Sequence, residues 1–400
     1  MAKKRLMLLG GIRYLLPVIK TAHEMDVDVI TADYLPDNIA HKYSDHYVNV
    51  SILDREAVLK VAQELHIDGI MSFGVDPGVV TAAYVAERLG LHYPPLASCE
   101  ILQSKDRFRD FLAANGFNCP FHNGYVGKSA ALADAKRFVF PVIVKPVDSA
   151  GSKGVTRVDS EADLPAALDG ALAESHSGRI IVEQFLEKVG SSSDTDSFSI
   201  DDELVFASFN CQKFDENSPN PYTPAAYTWP SDMPALALAE LRDELQRLMK
   251  LLHMGSWIYN IETRVATDGK PYIMEMSPRG GGNRLSEVLK MATGQDLIAN
   301  NIRAAMGMPV TPMTDPVYDG SWAEVIVHSN QGGTYKGLRI ADTMRPYLVQ
   351  EDMWVTPGDH VDSFTGANQT IGTLVMKFSD QGQMQESISR TSSWISVEVR

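Results

Sequence analysis

The stretch Ser256–Arg279 constrains the fold more than any other part of the chain. It reads SWIYNIETRVATDGKPYIMEMSPR, two alternating runs about Asp268-Gly269, and that pattern predicts a β-hairpin. With Asp268 and Gly269 as a two-residue turn, Glu262 faces Glu275 and Asn260 faces Ser277. The two-residue period puts these four on one face and Ile261, Val265, Met274 and Met276 on the other. Facing β-carbons in such a pair lie roughly 4.5 to 5.5 Å apart, where two carboxylates repel. A cation between them reverses the sign. Oxygen donors in a small cluster suit magnesium or manganese, and magnesium takes one or two carboxylates with water and substrate phosphates. The pattern points to a nucleotide; its alternative is a solvated polar face with unrelated acids. A three-residue loop in place of the turn would break the pairing.

Other stretches supply groups for phosphates. Pro141–Thr156, PVIVKPVDSAGSKGVT, is a β-run ending in Lys145, then a Gly/Ser turn and another strand. A lysine ending a buried strand is costly unless something anionic pairs with it. The small residues from Ser149 to Gly154, Ser152 among them, let backbone N–H groups approach a phosphate, and Lys153 adds charge. The competing reading is a plain solvated hairpin. Gly127-Lys128-Ser129 is not a P-loop, because His122 stands where the upstream glycine is required. Ile180–Leu186, IIVEQFL, is either a core strand or a hinge for adenine, with a backbone edge, one carboxylate and apolar side chains around Phe185. Pro278–Arg284, PRGGGNR, sets Arg279 and Arg284 about three glycines just before a helix, an arrangement suited to an anion. Gly10-Gly11 lacks a dinucleotide fingerprint and reads as a tight turn from strand to helix.

The first hundred residues alternate buried-strand runs with helix-period segments, which predicts a parallel sheet covered by helices. Strands fall at Leu6–Leu9, Val27–Ala32, Tyr47–Val50 and Ile67–Phe73. Tyr93-Pro94-Pro95 reads as a connector, after which a mixed α+β stretch follows. The segment from Phe214 to Met233 is rich in proline and predicts an ordered loop or lid, while Ala235–Leu252 predicts one amphipathic helix. After Pro309 the chain turns β-rich. With 400 residues, 44% hydrophobic, two or three packed domains are expected. A net charge of -15 excludes a generic nucleic-acid coat or a membrane-surface binder. No apolar run suits a spanning helix, and the start is too short for a secretory signal. Cys99, Cys119 and Cys211 are in no ligand spacing and fit a reducing cytosol.

Taken in order, these pieces resemble the ATP-grasp superfamily over about Ser104–Met306. Ser104-Lys105-Asp106 resembles the family's opening helix, whose lysine reaches the ATP phosphates. PVIVKP and SAGSKGV resemble the second phosphate lysine, here Lys145, and the glycine-rich flap with Ser152, Lys153 and Gly154. VEQFLE resembles the adenine hinge, which implies that Glu183 meets the amino group while Gln184, Phe185 and Leu186 give backbone and packing contacts. IET and MEMSPR resemble the metal-binding pair Glu262 and Glu275. Where the family usually has asparagine, this chain has Ser277, which implies a weakened or rearranged third metal contact. Arg279 matches the arginine that aids phosphoryl transfer, and Glu187 or Asp196 is the implied ribose ligand.

The resemblance implies an α/β and α+β multidomain architecture. It comprises a Rossmann-like N-terminal domain at 1–97, an ATP-grasp domain at 98–308 with a lid at about 119–186, and a β-rich cap at 309–400. It further implies a cytoplasmic, ATP-dependent ligase, using ATP with Mg2+ or Mn2+, that turns a small-molecule carboxylate into an acyl phosphate and couples it to an amine. Arg279 and Arg284 would contact the acyl phosphate, with Lys213 and the proline-rich loop enclosing substrate. No covalent nucleophile, nucleic acid or membrane is involved, and a homodimer is left open. The competing readings are a bicarbonate- or carbamate-activating carboxylase or carbamoyl-phosphate-type enzyme, and an inactive nucleotide-binding regulatory module.

Overall fold

Runs of buried aliphatic side chains build the first strands. A computed structural model describes residues 3–149 and 153–400. Its first sheet is parallel, in the spatial order His46–Asn49, Val27–Asp33, Lys4–Leu9, Gly69–Ser72. Leu6, Met7, Leu8 and Leu9 are all fully buried, as a parallel sheet covered on both faces requires. Met7 and Leu9 pack with Ile30, Val58 and Ala82 on one face. Leu6 and Leu8 pack on the other with Val18 and, from much later in the chain, Ile302. The helix Leu297–Ala305 thereby ties this sheet to the middle of the molecule.

Two antiparallel sheets make that middle. One, in the order His122–Val126, Arg179–Gln184, Val142–Pro146, Thr156–Val158, is backed by the helix Leu164–Ala173. The other runs Glu203–Phe206, Ser193–Ile200, Trp257–Val265, Pro271–Ser277. The helix Ala235–Leu252 covers it, burying Leu241, Leu245, Leu248 and Leu252 at the helical spacing read from the sequence. Each such leucine contributes roughly 1.5 to 3 kcal/mol.

The acidic hairpin reaches its expected pairing by an unexpected route. Its loop has three residues, Thr267–Gly269, closed by the Ala266 N–H donating to the Lys270 carbonyl at 3.0 Å. Thr263 therefore pairs with Ile273 and Arg264 with Tyr272, an offset that would misalign the acids. A bulge above Thr263 leaves Met274 without a partner and restores the register, so that Glu262 faces Glu275 and Asn260 faces Ser277.

The proline-rich segment is not a loop throughout. Pro224–Trp229 is a strand, and with Cys211–Phe214 it joins a sheet in the order Cys211–Phe214, Pro224–Trp229, Ser321–Val327, Gly372–Phe378, Leu348–Met353. Pro219, Pro221 and Pro230 lie outside the strand and Pro224 opens it, which leaves Ala225–Trp229 free to donate. A small sheet of His360–Val361, Gly333–Ile340 and Ile395–Val399 completes the β-rich end.

The loop after the hairpin is pinned to the first sheet. The Gly74 N–H donates to the Gly280 carbonyl at 2.9 Å, and a Cβ at Gly280 would lie 2.1 Å from the Phe73 ring. Gly280→Ala is expected to lower stability by about 1 to 3 kcal/mol in denaturant unfolding. Gly170→Ala, in the helix Leu164–Ala173 with nothing within 4 Å of the new Cβ, should raise it by about 0.5 to 1 kcal/mol.

Candidate active site

The small sheet and the acidic hairpin close on a cavity of about 60 Å³. It gathers Lys105, Lys145, Glu183, Gln184, Phe185, Leu186, Glu262 and Glu275 from four separated stretches of sequence. Arg109, Arg264, Ile143 and Met274 line it too, and these the sequence reading missed. Arg109 is one helical turn after Lys105 on the helix Lys105–Ala114, and Arg264 is two residues after Glu262 on its strand, so both periodicities carried the signal. Met274 gave none, because only the bulge takes it off the apolar face.

Glu183 is the anchor of the cavity wall. Only 1% exposed, it accepts from Lys145 Nζ at 3.1 Å and has Arg109 Nε at 3.1 Å, a charge contact rather than an aligned hydrogen bond. Burial alone would raise this carboxyl; Arg109 and Lys145 overcome it and hold it at about 2. Its carboxylate is thus committed to two cations rather than open to an adenine amino group. Phe185 and Leu186 remain to pack a base, and Arg157 lies 4.4 Å over the Phe185 ring while donating to Glu187.

The hairpin acids belong to a wider pattern. Asp194 faces Glu262, which faces Glu275; in the next row Asp196 faces Asn260, which faces Ser277. Asn260 Nδ2 donates to Asp194 Oδ1 at 2.9 Å and to Asp196 Oδ1 at 3.3 Å. Burial, reinforced by the charge of Glu262, raises Asp194 to about 7. Burial raises Asp196 to about 6 against the pull of Ser286 and the Gly281 N–H, which donates to it at 2.7 Å. Asp196 therefore holds the glycine loop, and it is not placed to bind ribose. Glu262 accepts from Arg264 Nη2 at 2.9 Å, and Glu275 lies 3.6 Å from Lys105 Nζ.

Glu262 and Glu275 fit a magnesium site. They are two opposed, accessible carboxylates, and among the described residues no group of three His, Cys, Asp or Glu side chains is disposed to hold a metal ion by itself. Phosphate and water would complete such a shell, as magnesium prefers. Ser277 does not fit the third contact expected of it. Its Oγ donates to Asp76 Oδ1 at 2.7 Å and accepts from Gln103 Nε2 at 2.8 Å.

The two arginines diverge from the cavity. Arg279 is buried and bidentate on Asp76, with Nε to Oδ1 at 2.8 Å and Nη2 to Oδ2 at 2.6 Å. Burial would raise Asp76, but Arg279, Ser277 and Lys105 hold it below the usual carboxylate range. Asp76 follows the first sheet's last strand, and only the tertiary fold brings it here. Arg284 turns instead to Glu287 at 2.9 Å and Gln350 at 2.5 Å. Lys153 is exposed, Gly154 takes a left-handed turn at φ +67°, and Ser152 lies outside the described residues. Lys213 Nζ donates to Ser191 Oγ at 2.9 Å, away from the cavity lining.

Residues 138–287 match the family model described as the ATP-grasp domain. This chain carries an ATP-grasp domain. ATP-grasp domains use ATP and Mg2+. The formate-dependent phosphoribosylglycinamide formyltransferase of Burkholderia vietnamiensis (strain G4 / LMG 22486) is 27% identical over 355 residues, covering 84% of this chain and 83% of that protein. The protein of the same description from Synechococcus sp. (strain WH7803) is 30% identical over 186 residues, 46% of this chain and 48% of that protein. Among solved structures, L-amino acid ligase from Bacillus licheniformis superimposes with a TM-score of 0.81 at 19% identity, covering 100% of both chains. Phosphoribosylglycinamide synthetase from Anaerococcus prevotii gives 0.77 at 17%, again covering 100% of both. At those identities the structures speak for the fold.

Two expectations follow for the ATP-grasp site. Glu275→Gln and Glu262→Gln should keep the fold and lower magnesium-dependent turnover by about 10² to 10³; wild-type rates in both would remove the metal assignment. Glu183→Gln leaves two cations uncompensated and should cost about 3 to 5 kcal/mol at pH 7 in denaturant unfolding. Because Glu183 is lowered from an ordinary 4.5 to about 2, its stabilisation is complete above pH 4.5 and is lost as pH falls toward 2. The stability gap between wild type and variant should close across that window.

Proposed function

We propose that this protein is a carboxylate–amine ligase that forms ADP. A substrate carboxylate oxygen attacks the γ-phosphorus of ATP and ADP leaves; an amine nitrogen then attacks the acyl carbon, sheds a proton, and phosphate leaves. The observation that carries this reading is the single cavity shared by the phosphate lysines, the hinge and the paired acids. Phosphoryl transfer of this kind needs positioning and charge neutralisation more than covalent chemistry.

Lys105 and Lys145 would hold the phosphates, Phe185 and Leu186 would pack the base, and Glu262 and Glu275 would hold magnesium. Bound there, the metal would supply positive charge to the phosphate oxygens. Arg279, fixed by Asp76, would act as a positioning residue between the first sheet and the glycine loop. The names of the relatives support a small acid, formate or an amino acid, as the carboxylate. We further assign three domains, at 1–97, 98–308 and 309–400, with strands 211–229 lent to the last one's sheet. Three free cysteines support a cytoplasmic setting. Among the described residues no helix is long and apolar enough to cross a membrane. A biotin carboxylase domain dimer among the structural neighbours supports a homodimer.

The test is a phosphate-release screen of L-amino acids, formate and other small carboxylates, each with and without an amine. A carboxylate-dependent hydroxamate in the presence of hydroxylamine is expected. ATP hydrolysis driven by hydrogencarbonate alone would favour the carboxylase reading. Magnesium-nucleotide binding with no ADP released across the panel would mark a regulatory module.

A further inference from the structure

The ligase reading leaves open what receives the amine. Glu324 stands on the central strand of the C-terminal sheet, Ser321–Val327, on the face shared with Trp322 and Ile326 and turned to the glycine loop. It is fully buried. The Arg284 backbone N–H donates to its Oε1 at 3.0 Å, whereas Oε2 is sealed from solvent and has no hydrogen-bond partner. The Arg284 guanidinium is turned to Glu287 and Gln350 instead. On the same face, one diagonal step away, Thr373 Oγ1 is also buried and unpartnered.

Beside the apolar Trp322, Ile326 and Val375, polar groups from three parts of the chain reach this face. Tyr227 lies directly across from Glu324 on the neighbouring strand. Its hydroxyl donates to Asp194 Oδ2 at 3.3 Å and accepts from Asn283 Nδ2 at 3.5 Å, and the Tyr14 hydroxyl donates to Asn283 Oδ1 at 3.2 Å. The turn after the first strand, the glycine loop and the C-terminal sheet thus meet around one carboxylate. A buried oxygen with no donor is costly to keep, and the cost is greatest for a charge. Burial pushes this carboxyl up to about 8 despite the opposing charge of Arg284, and a cation placed beside it would favour the carboxylate. An ammonium group has three N–H donors. Glu324 Oε2, Thr373 Oγ1 and the Tyr227 hydroxyl offer acceptors to meet them.

We propose that Glu324 binds the amine substrate as its ammonium and so selects it; the nitrogen gives one proton to the Glu324 carboxylate before it attacks the acyl carbon and sheds the second. This rests on the ligase reading, and the test separates the two. Hydroxylamine, uncharged at neutral pH, intercepts an acyl phosphate without needing an ammonium site. Wild type and Glu324→Gln are compared for hydroxamate formation and for coupling to ammonium, glycinamide and the L-amino acids. No hydroxamate from wild type would sink the ligase reading itself. Given hydroxamate, the ratio of amine coupling to hydroxamate formation should fall about 10- to 100-fold in the variant, through a raised KM for the amine with that for ATP little changed. An unchanged ratio would overturn the role of Glu324. Should the variant not fold, wild type decides: glycinamide should compete with hydroxylamine at least tenfold better than its hydroxyl analogue glycolamide, and equal competition would overturn the proposal.

Discussion

Three carboxylates stand in one row across three antiparallel strands, and their mutual repulsion is the constraint around which the site is arranged. Asp194, Glu262 and Glu275 would destabilise a sheet if left as bare facing charges. The protein answers differently at each position. Asp194 is half-buried and bonded to Asn260, Glu262 has Arg264 beside it, and Glu275 faces Lys105. In the adjoining row the acid Asp196 is spent on the glycine loop, and Asn260 and Ser277 are neutral. Glu262 and Glu275 are left as the pair within reach of an ion.

How far this was legible depended on how local each cause is. The pairing of Glu262 with Glu275 was readable from the alternation about Asp268-Gly269, although a three-residue loop and a bulge cancel to produce it. The bulge itself has no sequence mark, which is why Met274 was placed on the wrong face. The helix Ala235–Leu252 was readable to the residue because its apolar period and flanking Pro234 agree. Pro224–Trp229 was misread because proline density counts residues, whereas a strand needs only that the donors facing its neighbour be present. Asp76 was invisible for another reason: its partners Ser277 and Arg279 are about two hundred residues away, and no spacing rule spans that distance.

The cavity also explains how an acidic chain receives a polyanion. Lys105, Lys145, Arg109 and Arg264 line it, and each already faces a carboxylate. An incoming polyphosphate therefore meets cations already balanced by Glu183, Glu262 and Glu275 rather than bare positive charge. The field outside stays negative, consistent with a net charge of -15, while the cations needed for phosphate are held ready inside.

The sharing of one sheet between the middle and the end of the chain has a consequence for how the protein is made. Pro224–Trp229 hydrogen-bonds on one side to Cys211–Phe214 and on the other to Ser321–Val327, which leaves the ribosome much later. At ordinary elongation rates that interval is about 5 to 20 s. For that time the hairpin presents an open edge carrying Tyr227 and Trp229, side chains that are buried once the fold is complete. The glycine loop and the acidic hairpin are synthesised inside the same interval, so both have emerged before Ser321–Val327 arrives to cover that edge.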